Sequence, residues 1–172
     1  MKELTMTERG ALARQAGIRL SATSIEQRNN ALEAIAAALD IQRDQIISAN
    51  QKDLERSKNE NLSAPLLKRL TFDNQKINDV IRGLQELVTL PDPLNKTQMA
   101  TVLDDGLELY RVTCPLGVVG IVFESRPDAF VQISPSELRS GNISGNHLLD
   151  YTFGDSLLFL LPQVADGIIF LQ

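Results

Sequence analysis

The residues best suited to chemistry in this sequence stand together in one short turn. An apolar run over residues 118–123 ends in Glu124, Ser125 and Arg126, and an apolar helical pattern follows. In open α/β sheets, cofactors and phosphates bind at such a junction, at the carboxyl end of a buried strand. Arg126 could hold a phosphate or a carboxylate through its planar guanidinium group. On these residues alone, a Glu–Arg ion pair that only closes the loop end is an equally good interpretation.

The single cysteine and the single histidine are weaker candidates for chemistry. Cys114 precedes the predicted strand and has no base close in sequence, because the nearby Arg111 cannot accept a proton. We therefore expect a structural cysteine, buried and unreactive, and assign no catalytic residue. His147 lacks cysteine or acidic partners at the spacing of a metal site, so no metal is expected. Gly117 and Gly120 lack the spacing of a phosphate-binding loop.

The composition limits the classes of partner. The 172 residues carry a net charge of −5 with a pI of about 4.9, few aromatic residues and no tryptophan. Nucleic acid is not expected as a partner, because its phosphates require a basic surface and its unpaired bases require aromatic platforms. The most apolar run, residues 157–161, is far shorter than the roughly 20 residues of a membrane span. With one cysteine and no apparent secretory signal, the sequence predicts a soluble cytoplasmic protein.

Residues 5–89 carry the patterns of helices. Ser24 and Gln27 have the capping-box arrangement ahead of a periodic apolar stripe. Pro65 suits the first turn of a short helix, and Asp73 suits the N-cap of the next one. The charged residues between positions 24 and 58 are interpreted as a solvated surface; they are Glu26, Arg28, Glu33, Arg43, Asp44, Lys52 and Asp53.

A different pattern begins after the proline-rich break at residues 91–93. Two strand-like runs flank Asp105 and Gly106, and an Asp-Gly pair between such runs favours a two-residue hairpin turn. The sequence therefore predicts a hairpin over residues 98–113.

A buried strand over residues 118–123 and a helix over residues 128–139 come next. Asp128 is expected to cap this helix, and Gly141 suits its C-terminal end. Pro135 falls inside the helix, where a proline removes a hydrogen bond and produces a kink.

The last 30 residues differ in character from the rest. All 17 Lys and Arg residues precede position 143, and residues 143–172 contain three acidic residues and no base except His147. Their apolar clusters show no clean period. We interpret residues 143–172 as a divergent tail of uncertain structure, such as a frameshift would produce; an ordinary divergent strand pair is the alternative. The strand at 118–123 is then expected to lack parallel neighbours along its edges.

Several sequence blocks resemble one enzyme family. The most specific is residues 115–129, which contain Phe-Glu-Ser-Arg-Pro-Asp, and Arg-Ser-Gly-Asn follows at 139–142. Ile-Ser-Ala-Asn at 47–50 and a block over 62–70 that includes Arg69 also match. These blocks are similar to those of the glutamate-5-semialdehyde dehydrogenases, also called γ-glutamyl-phosphate reductases, a branch of the aldehyde dehydrogenase superfamily. The resemblance covers residues 1–142.

The resemblance implies an α/β fold for residues 1–142, with an N-terminal helical layer and the start of an aldehyde-dehydrogenase-like Rossmann domain, truncated. It implies NADPH-dependent reduction of L-glutamate 5-phosphate to L-glutamate 5-semialdehyde in proline biosynthesis. In this family a cysteine thiolate displaces phosphate from the acyl phosphate, and hydride then reduces the thioester. The cofactor-binding residues it implies are Phe123, Glu124, Ser125 and Arg126. It also implies a homo-oligomer formed through the 98–113 hairpin.

The chain departs from the family pattern after Asn142. The family continues with a second parallel strand and a Lys-Gly-Gly turn that helps to bind the adenosine end of NADP, whereas Ile-Ser-Gly-Asn-His follows here. Cys114 does not match the family's nucleophile. We therefore expect a chain that lacks the catalytic cysteine and is inactive alone. The alternatives are a non-catalytic fragment, a module that pairs with an intact subunit through the hairpin, or an unrelated helical domain, which residues 123–128 disfavour.

Overall fold

A computed structural model describes residues 5–123 and 127–148, which form six helices and four strands. The helical layer comprises α1 (Met6–Ser21), α2 (Ile25–Ile41), α3 (Arg43–Asn59), α4 (Ala64–Leu70) and α5 (Asn74–Thr89). An antiparallel hairpin follows, formed by β1 (Thr97–Asp104) and β2 (Leu107–Val112). The last described unit comprises β3 (Val118–Phe123), α6 (Pro127–Arg139) and β4 (Ile143–Leu148). None of the helices in these ranges is long and apolar enough to span a membrane.

Local capping interactions determine where the helices begin. Ser24 and Gln27 form the predicted capping box of α2, in which each side chain accepts a hydrogen bond from the other residue's backbone N–H. Asp73 caps α5 as predicted, because its carboxylate accepts from the backbone N–H of Lys76 at 3.0 Å. Pro65 lies in the first turn of α4, where its missing N–H leaves no hydrogen bond unmade.

The hydrophobic core lies between the helices and reaches the β3–α6–β4 unit. The apolar stripes of α2 and α5 face each other, and α6 packs beside them. The buried members of the core are Leu20, Ala31, Leu32, Ile35, Ala36, Leu39, Ile46, Phe72, Ile77, Val80, Leu84, Val131, Leu138 and Ile143. A single core therefore joins the helical layer to the second unit.

Two charged residues that were interpreted as solvated surface are buried. Arg28 is 1 % exposed and Asp53 is 0 % exposed. Nη2 of Arg28 donates to both carboxylate oxygens of Asp92 at 2.8 and 2.9 Å, and Asp53 contacts Arg56 at 2.5 Å. The interpretation was wrong at these two positions because a partner neutralises each charge, and paired charges tolerate burial.

The strand β3 has a parallel neighbour, contrary to the expectation from the sequence. β4 pairs with it in register from Val118 opposite Ile143 to Phe123 opposite Leu148. Backbone groups make this ladder, so the unusual composition after residue 143 does not prevent it. Residues 149–172, the remainder of the predicted divergent tail, lie outside the described residues.

The expected burial of β3 is also not found. Val118 is 45 % exposed, and Gly120 is exposed as well. In the part of the chain that the structure describes, β4 is the only strand beside β3. α1 covers the sheet near Gly17, where a Cβ would lie within 4 Å of Val118 and Ile143 side-chain atoms. A two-stranded sheet is too narrow for both of its faces to be covered completely, so part of β3 stays exposed to solvent.

Both ends of α6 show how the chain enters and leaves this helix. Asp128 is the second helical residue rather than the predicted cap, and it lies in the first turn. At the other end, Gly141 has φ +71°, and the N–H of Asn142 donates to the carbonyl of Glu137 at 2.8 Å. This is the Schellman arrangement, and it agrees with the predicted C-terminal glycine. Pro135 is accommodated inside the helix.

The hairpin projects from the rest of the protein. Asp105 and Gly106 form the two-residue turn between β1 and β2, and Gly106 has φ +76°. Every residue of both strands is exposed. The hairpin therefore contributes a surface and no core.

Candidate functional site

The candidate cofactor-binding residues follow the carboxyl end of β3. Phe123 is the last residue of β3, opposite Leu148 of β4, and α6 begins at Pro127. Glu124, Ser125 and Arg126 lie outside the described residues. The structure thus places the two ends of this turn at a strand end and a helix start, while the contacts of its side chains stay a prediction.

The β3–α6–β4 unit has the arrangement that the site requires. Two parallel strands joined by a helix bring their carboxyl ends to the same edge of the sheet. At the amino ends of the two strands, Oδ1 of Asn142 accepts a hydrogen bond from the N–H of Gly117 at 2.9 Å. The N–H of Ile143 donates to the carbonyl of Gly117 at 2.9 Å. These two hydrogen bonds fix the relative position of the strands.

A buried charged cluster attaches this unit to the helical layer. Arg139 donates from Nε to the carbonyl of Leu87 at 3.1 Å and from Nη2 to that of Leu90 at 2.5 Å, at the end of α5. Its Nη1 lies 3.8 Å from the Asp92 carboxylate, which also binds Arg28. Burial lowers the pKa of Arg139, an effect that Asp92 opposes and Arg28 reinforces. One carboxylate thus holds α2 and α6 together.

A cleft with basic walls lies beside the first turn of α6. We name it the basic cleft; its volume is about 490 Å³, and it is lined by Pro65, Lys68, Arg69, Lys76 and Asp128. Nζ of Lys76 donates to the carbonyl of Arg69 at 3.2 Å and lies 3.7 Å from Oδ2 of Asp128. Three cationic side chains therefore face one carboxylate across the cleft. Such a site favours anions.

Most of the residues that line this cleft were not predicted from the sequence. Arg69 appeared in a family-like block, but Lys68 and Lys76 were not singled out. The available indication was the concentration of Lys68, Arg69 and Lys76 around a predicted helix start at Asp73. That indication is weak, because cationic residues near helix ends are also common on ordinary surfaces.

Cys114 is exposed and forms no disulfide. The expected burial of this thiol is therefore wrong. The reason is its position in the extended connection between β2 and β3, which follows a hairpin with no buried residue. Among the described residues, no group of three or more His, Cys, Asp or Glu side chains could hold a metal ion.

Comparison with known proteins gives consistent results, although no family model matches the chain. It is 56 % identical to the gamma-glutamyl phosphate reductase of Acetivibrio thermocellus over 139 residues, which are 81 % of this chain and 32 % of that protein. The gamma-glutamyl phosphate reductase structure from Saccharomyces cerevisiae matches with a TM-score of 0.89 at 34 % identity, over 97 % of this chain and 42 % of that one.

Two further structures extend the comparison of the fold. The gamma-glutamyl phosphate reductase of Thermotoga maritima matches with a TM-score of 0.89 at 27 % identity, over 95 % of this chain and 39 % of that one. A Bacillus subtilis structure assigned provisionally to the aldehyde dehydrogenases matches with a TM-score of 0.63 at 18 % identity, over 94 % of this chain and 32 % of that one, which shows the fold alone. The chain spans about a third of the length of the curated relatives it matches.

Proposed function

We propose, on the premise that this chain belongs to the gamma-glutamyl phosphate reductase family, that it supplies one part of an NADPH-dependent reductase. The reaction converts L-glutamate 5-phosphate into L-glutamate 5-semialdehyde and phosphate, a step of proline biosynthesis in the cytoplasm. The observation that carries the proposal is 56 % identity over 139 residues, combined with a β3–α6–β4 unit of the dinucleotide-binding type.

The proposed place for NADP is the edge of the sheet at which β3 and β4 end. The parallel pairing of these strands supports it, because this arrangement leaves an open crevice at their carboxyl ends. Phe123, Glu124, Ser125 and Arg126 would hold the nicotinamide side of the cofactor, which supplies the hydride when bound. The adenosine side lacks support in this sequence, since no Lys or Arg occurs after residue 142 to pair with the 2′-phosphate. We therefore propose that these 172 residues bind NADPH weakly.

Cys114 is not the proposed nucleophile. Its thiol is exposed on the connection between β2 and β3, and a reactive cysteine needs a base or a cationic environment that stabilises its thiolate. Because Cys114 is the only cysteine of the sequence, the nucleophile of the proposed reaction is not among these 172 residues. The proposed contribution of the chain is therefore cofactor binding, scaffold and assembly.

The first experiment measures NADPH oxidation by the purified chain with L-glutamate 5-phosphate, and NADP reduction with the semialdehyde and phosphate. We expect no turnover in either direction. A rate that is abolished by Cys114→Ser would overturn the rejection of this thiol as the nucleophile.

A chimera tests the proposed contribution directly. Residues 5–142 replace the matching segment of the Acetivibrio thermocellus reductase, and the product is assayed for NADPH-dependent reduction. We expect activity, and we expect Arg126→Ala in the chimera to lower kcat/KM by about tenfold or more, as loss of a charged contact does. Arg82→Ala is the control, since Arg82 forms an exposed ion pair with Asp79. A folded chimera without activity, or equal effects of both substitutions, would refute the proposal.

A second proposed role is pairing with another subunit through the hairpin. The observation that favours it is a set of seven exposed apolar side chains on two strands; these are Met99, Val102, Leu103, Leu107, Leu109, Tyr110 and Val112. The outer edges of β1 and β2 have no partner strand within the described ranges. A ribbon of this kind is suited to extend a sheet of another chain or to bury its apolar residues against one.

A further inference from the structure

We infer that the basic cleft binds a phosphate dianion, either free or as the phosphoryl group of a small molecule. The inference rests on the proposed function only for the source of that phosphate. The binding itself follows from the charge, shape and rigidity of the cleft.

The charges of the basic cleft are unbalanced. Lys76 is engaged by Asp128 at 3.7 Å and by the carbonyl of Arg69 at 3.2 Å. The side chains of Lys68 and Arg69 make no hydrogen bond or ion pair in the part of the chain that the structure describes. Holding like charges around one concavity raises the free energy of the folded protein, and a bound anion would lower it.

The backbone that carries these charges is fixed by a buried side chain. Nδ2 of Asn50 donates to the carbonyl of Leu70 at 3.0 Å, and its Oδ1 accepts from the N–H of Phe72 at 2.7 Å. Leu70 and Phe72 are themselves buried in the protein. Because Lys68 and Arg69 directly precede this anchored segment, their backbone is already ordered before an anion binds.

The cleft is large enough to admit a small hydrated anion. A volume of about 490 Å³ exceeds what one phosphate needs and lies within the usual range of small-molecule sites. The guanidinium of Arg69 can bind two phosphate oxygens at once, and the ammonium groups of Lys68 and Lys76 add charge without a fixed geometry. Since Lys68 and Arg69 are exposed, water competes for the anion, and we expect weak, millimolar binding.

The test is a titration of the ¹⁵N-labelled 172-residue chain with inorganic phosphate at constant ionic strength, with chloride as the replaced anion. We expect amide shift changes that saturate and are concentrated at residues 68–70, Lys76 and Asp128. Arg69→Gln is expected to weaken binding by about tenfold, as loss of a hydrogen bond to a charged group does. Lys52→Gln, on the exposed face of α3, removes the same charge elsewhere and should leave the affinity unchanged.

The controls separate a site from general screening. No saturable change in the wild-type chain, or equal loss of affinity in Arg69→Gln and Lys52→Gln, would refute the inference. Unchanged amide shifts elsewhere in the spectrum of Arg69→Gln establish that this variant is folded. If those shifts change, the stabilisation by phosphate is measured for Lys68→Gln and Lys52→Gln instead. A smaller stabilisation of Lys68→Gln supports the inference, and equal stabilisation refutes it.

Competition identifies the source of the phosphate without any turnover. Displacement by acetyl phosphate but not by NADP indicates an acyl-phosphate substrate, and displacement by NADP indicates the cofactor. Displacement by neither would support a site for inorganic phosphate and would count against its use in the proposed reduction. The result therefore stands independently of whether the chain has reductase activity.

Discussion

Asp92 connects parts of the protein that are far apart in sequence. Both oxygens of its carboxylate accept from Nη2 of Arg28, and the carboxylate lies 3.8 Å from Nη1 of Arg139. Arg28 and Arg139 are 1 % and 3 % exposed, so neither can exchange this partner for bulk water. Removal of the carboxylate charge would leave two guanidinium groups buried without a counterion.

We therefore expect Asp92→Asn to lower the free energy of unfolding by about 2–4 kcal/mol. Urea denaturation followed by circular dichroism measures this loss. Asp79→Asn is the matched control, because its ion pair with Arg82 is exposed and should contribute no more than about 1 kcal/mol. Equal losses in the two variants would show that the buried cluster is not a special source of stability.

Glu8 illustrates a residue whose titration depends on one neighbour. The backbone N–H and the hydroxyl of Thr5 both donate to its carboxylate at 2.8 Å, and these hydrogen bonds lower the pKa of Glu8. Because the pKa is lowered on folding, the stabilisation is complete above the ordinary pKa of glutamate. It is lost as the pH falls through the lowered value.

Removal of the Thr5 hydroxyl should move this titration. We expect Thr5→Ala to shift the pKa of Glu8 upward, toward its ordinary value, because one of the two donors is lost. NMR titration of the Glu8 side-chain carboxyl carbon measures the pKa. Thr7→Ala, which makes the same change two positions later, should leave the titration where it is. If both substitutions shift it equally, the capping hydrogen bonds are not the cause.

The distance between partners along the chain explains which residues the sequence could predict. The caps at Ser24 and Asp73 were predicted correctly, because each partner is three positions away and the pattern is readable locally. The burial of Arg28 was missed because Asp92, the residue that makes it possible, is 64 positions away. The basic cleft was missed for a related reason, since α4, α5 and α6 meet only in the folded protein.

At the scale of elements, two glycines in helical surroundings should respond oppositely to alanine. Gly141 ends α6 with φ +71°, and a Cβ there would lie 2.7 Å from Cδ1 of Leu94 and 3.1 Å from Cγ of Pro115. Gly83 lies inside α5, and a Cβ there would meet no atom within 4 Å. We expect Gly141→Ala to cost at least about 1–2 kcal/mol of unfolding free energy and Gly83→Ala to add about 0.5–1 kcal/mol.

Thermal or urea denaturation of both variants tests this pair, with the wild-type chain as reference. Changes of the same sign would contradict the argument. Unaltered stability of Gly141→Ala would mean that the chain leaves α6 by another route, at no cost to the contact with Leu94 and Pro115.

β4 shows why an element can form where the composition appears unfavourable. Residues 143–148 include serine, glycine, asparagine and histidine, which do not suggest a buried strand. A parallel ladder uses backbone N–H and C=O groups, however, so these residue types do not prevent it. The anchoring of Asn142 and Ile143 to Gly117 starts this pairing at its first residue. Sequence periodicity reports side-chain burial, so it gave no direct indication of this backbone pairing.

At the scale of the whole molecule, the hydrophobic core and the exposed apolar surface of the hairpin lie in different parts of the protein. One core joins the helical layer to the β3–α6–β4 unit, whereas the hairpin contributes no residue to it. The resemblance to known enzymes predicted the mixed α/β fold correctly, since the fold matches the solved reductases with TM-scores of 0.89. Neither resemblance nor periodicity could show how much apolar surface the hairpin exposes.

This exposure leads to a prediction about assembly. Val102 is 69 % exposed in the middle of β1, among six other exposed apolar side chains of the hairpin. Apolar surface of this extent favours association, because burial releases it from water. We expect the purified chain to self-associate in a concentration-dependent manner, and Val102→Lys to weaken the association by about tenfold or more, as loss of a central apolar contact does.

Sedimentation equilibrium over a range of protein concentrations measures the association. Ile41→Lys is the matched control, because Ile41 is an equally apolar residue, 83 % exposed at the end of α2 and outside the hairpin. A wild-type chain that stays monomeric, or an Ile41→Lys variant that dissociates as readily as Val102→Lys, would contradict a role of the hairpin in pairing. A selective effect of Val102→Lys, with unchanged helicity, would assign assembly to the hairpin, which contributes no residue to the described core.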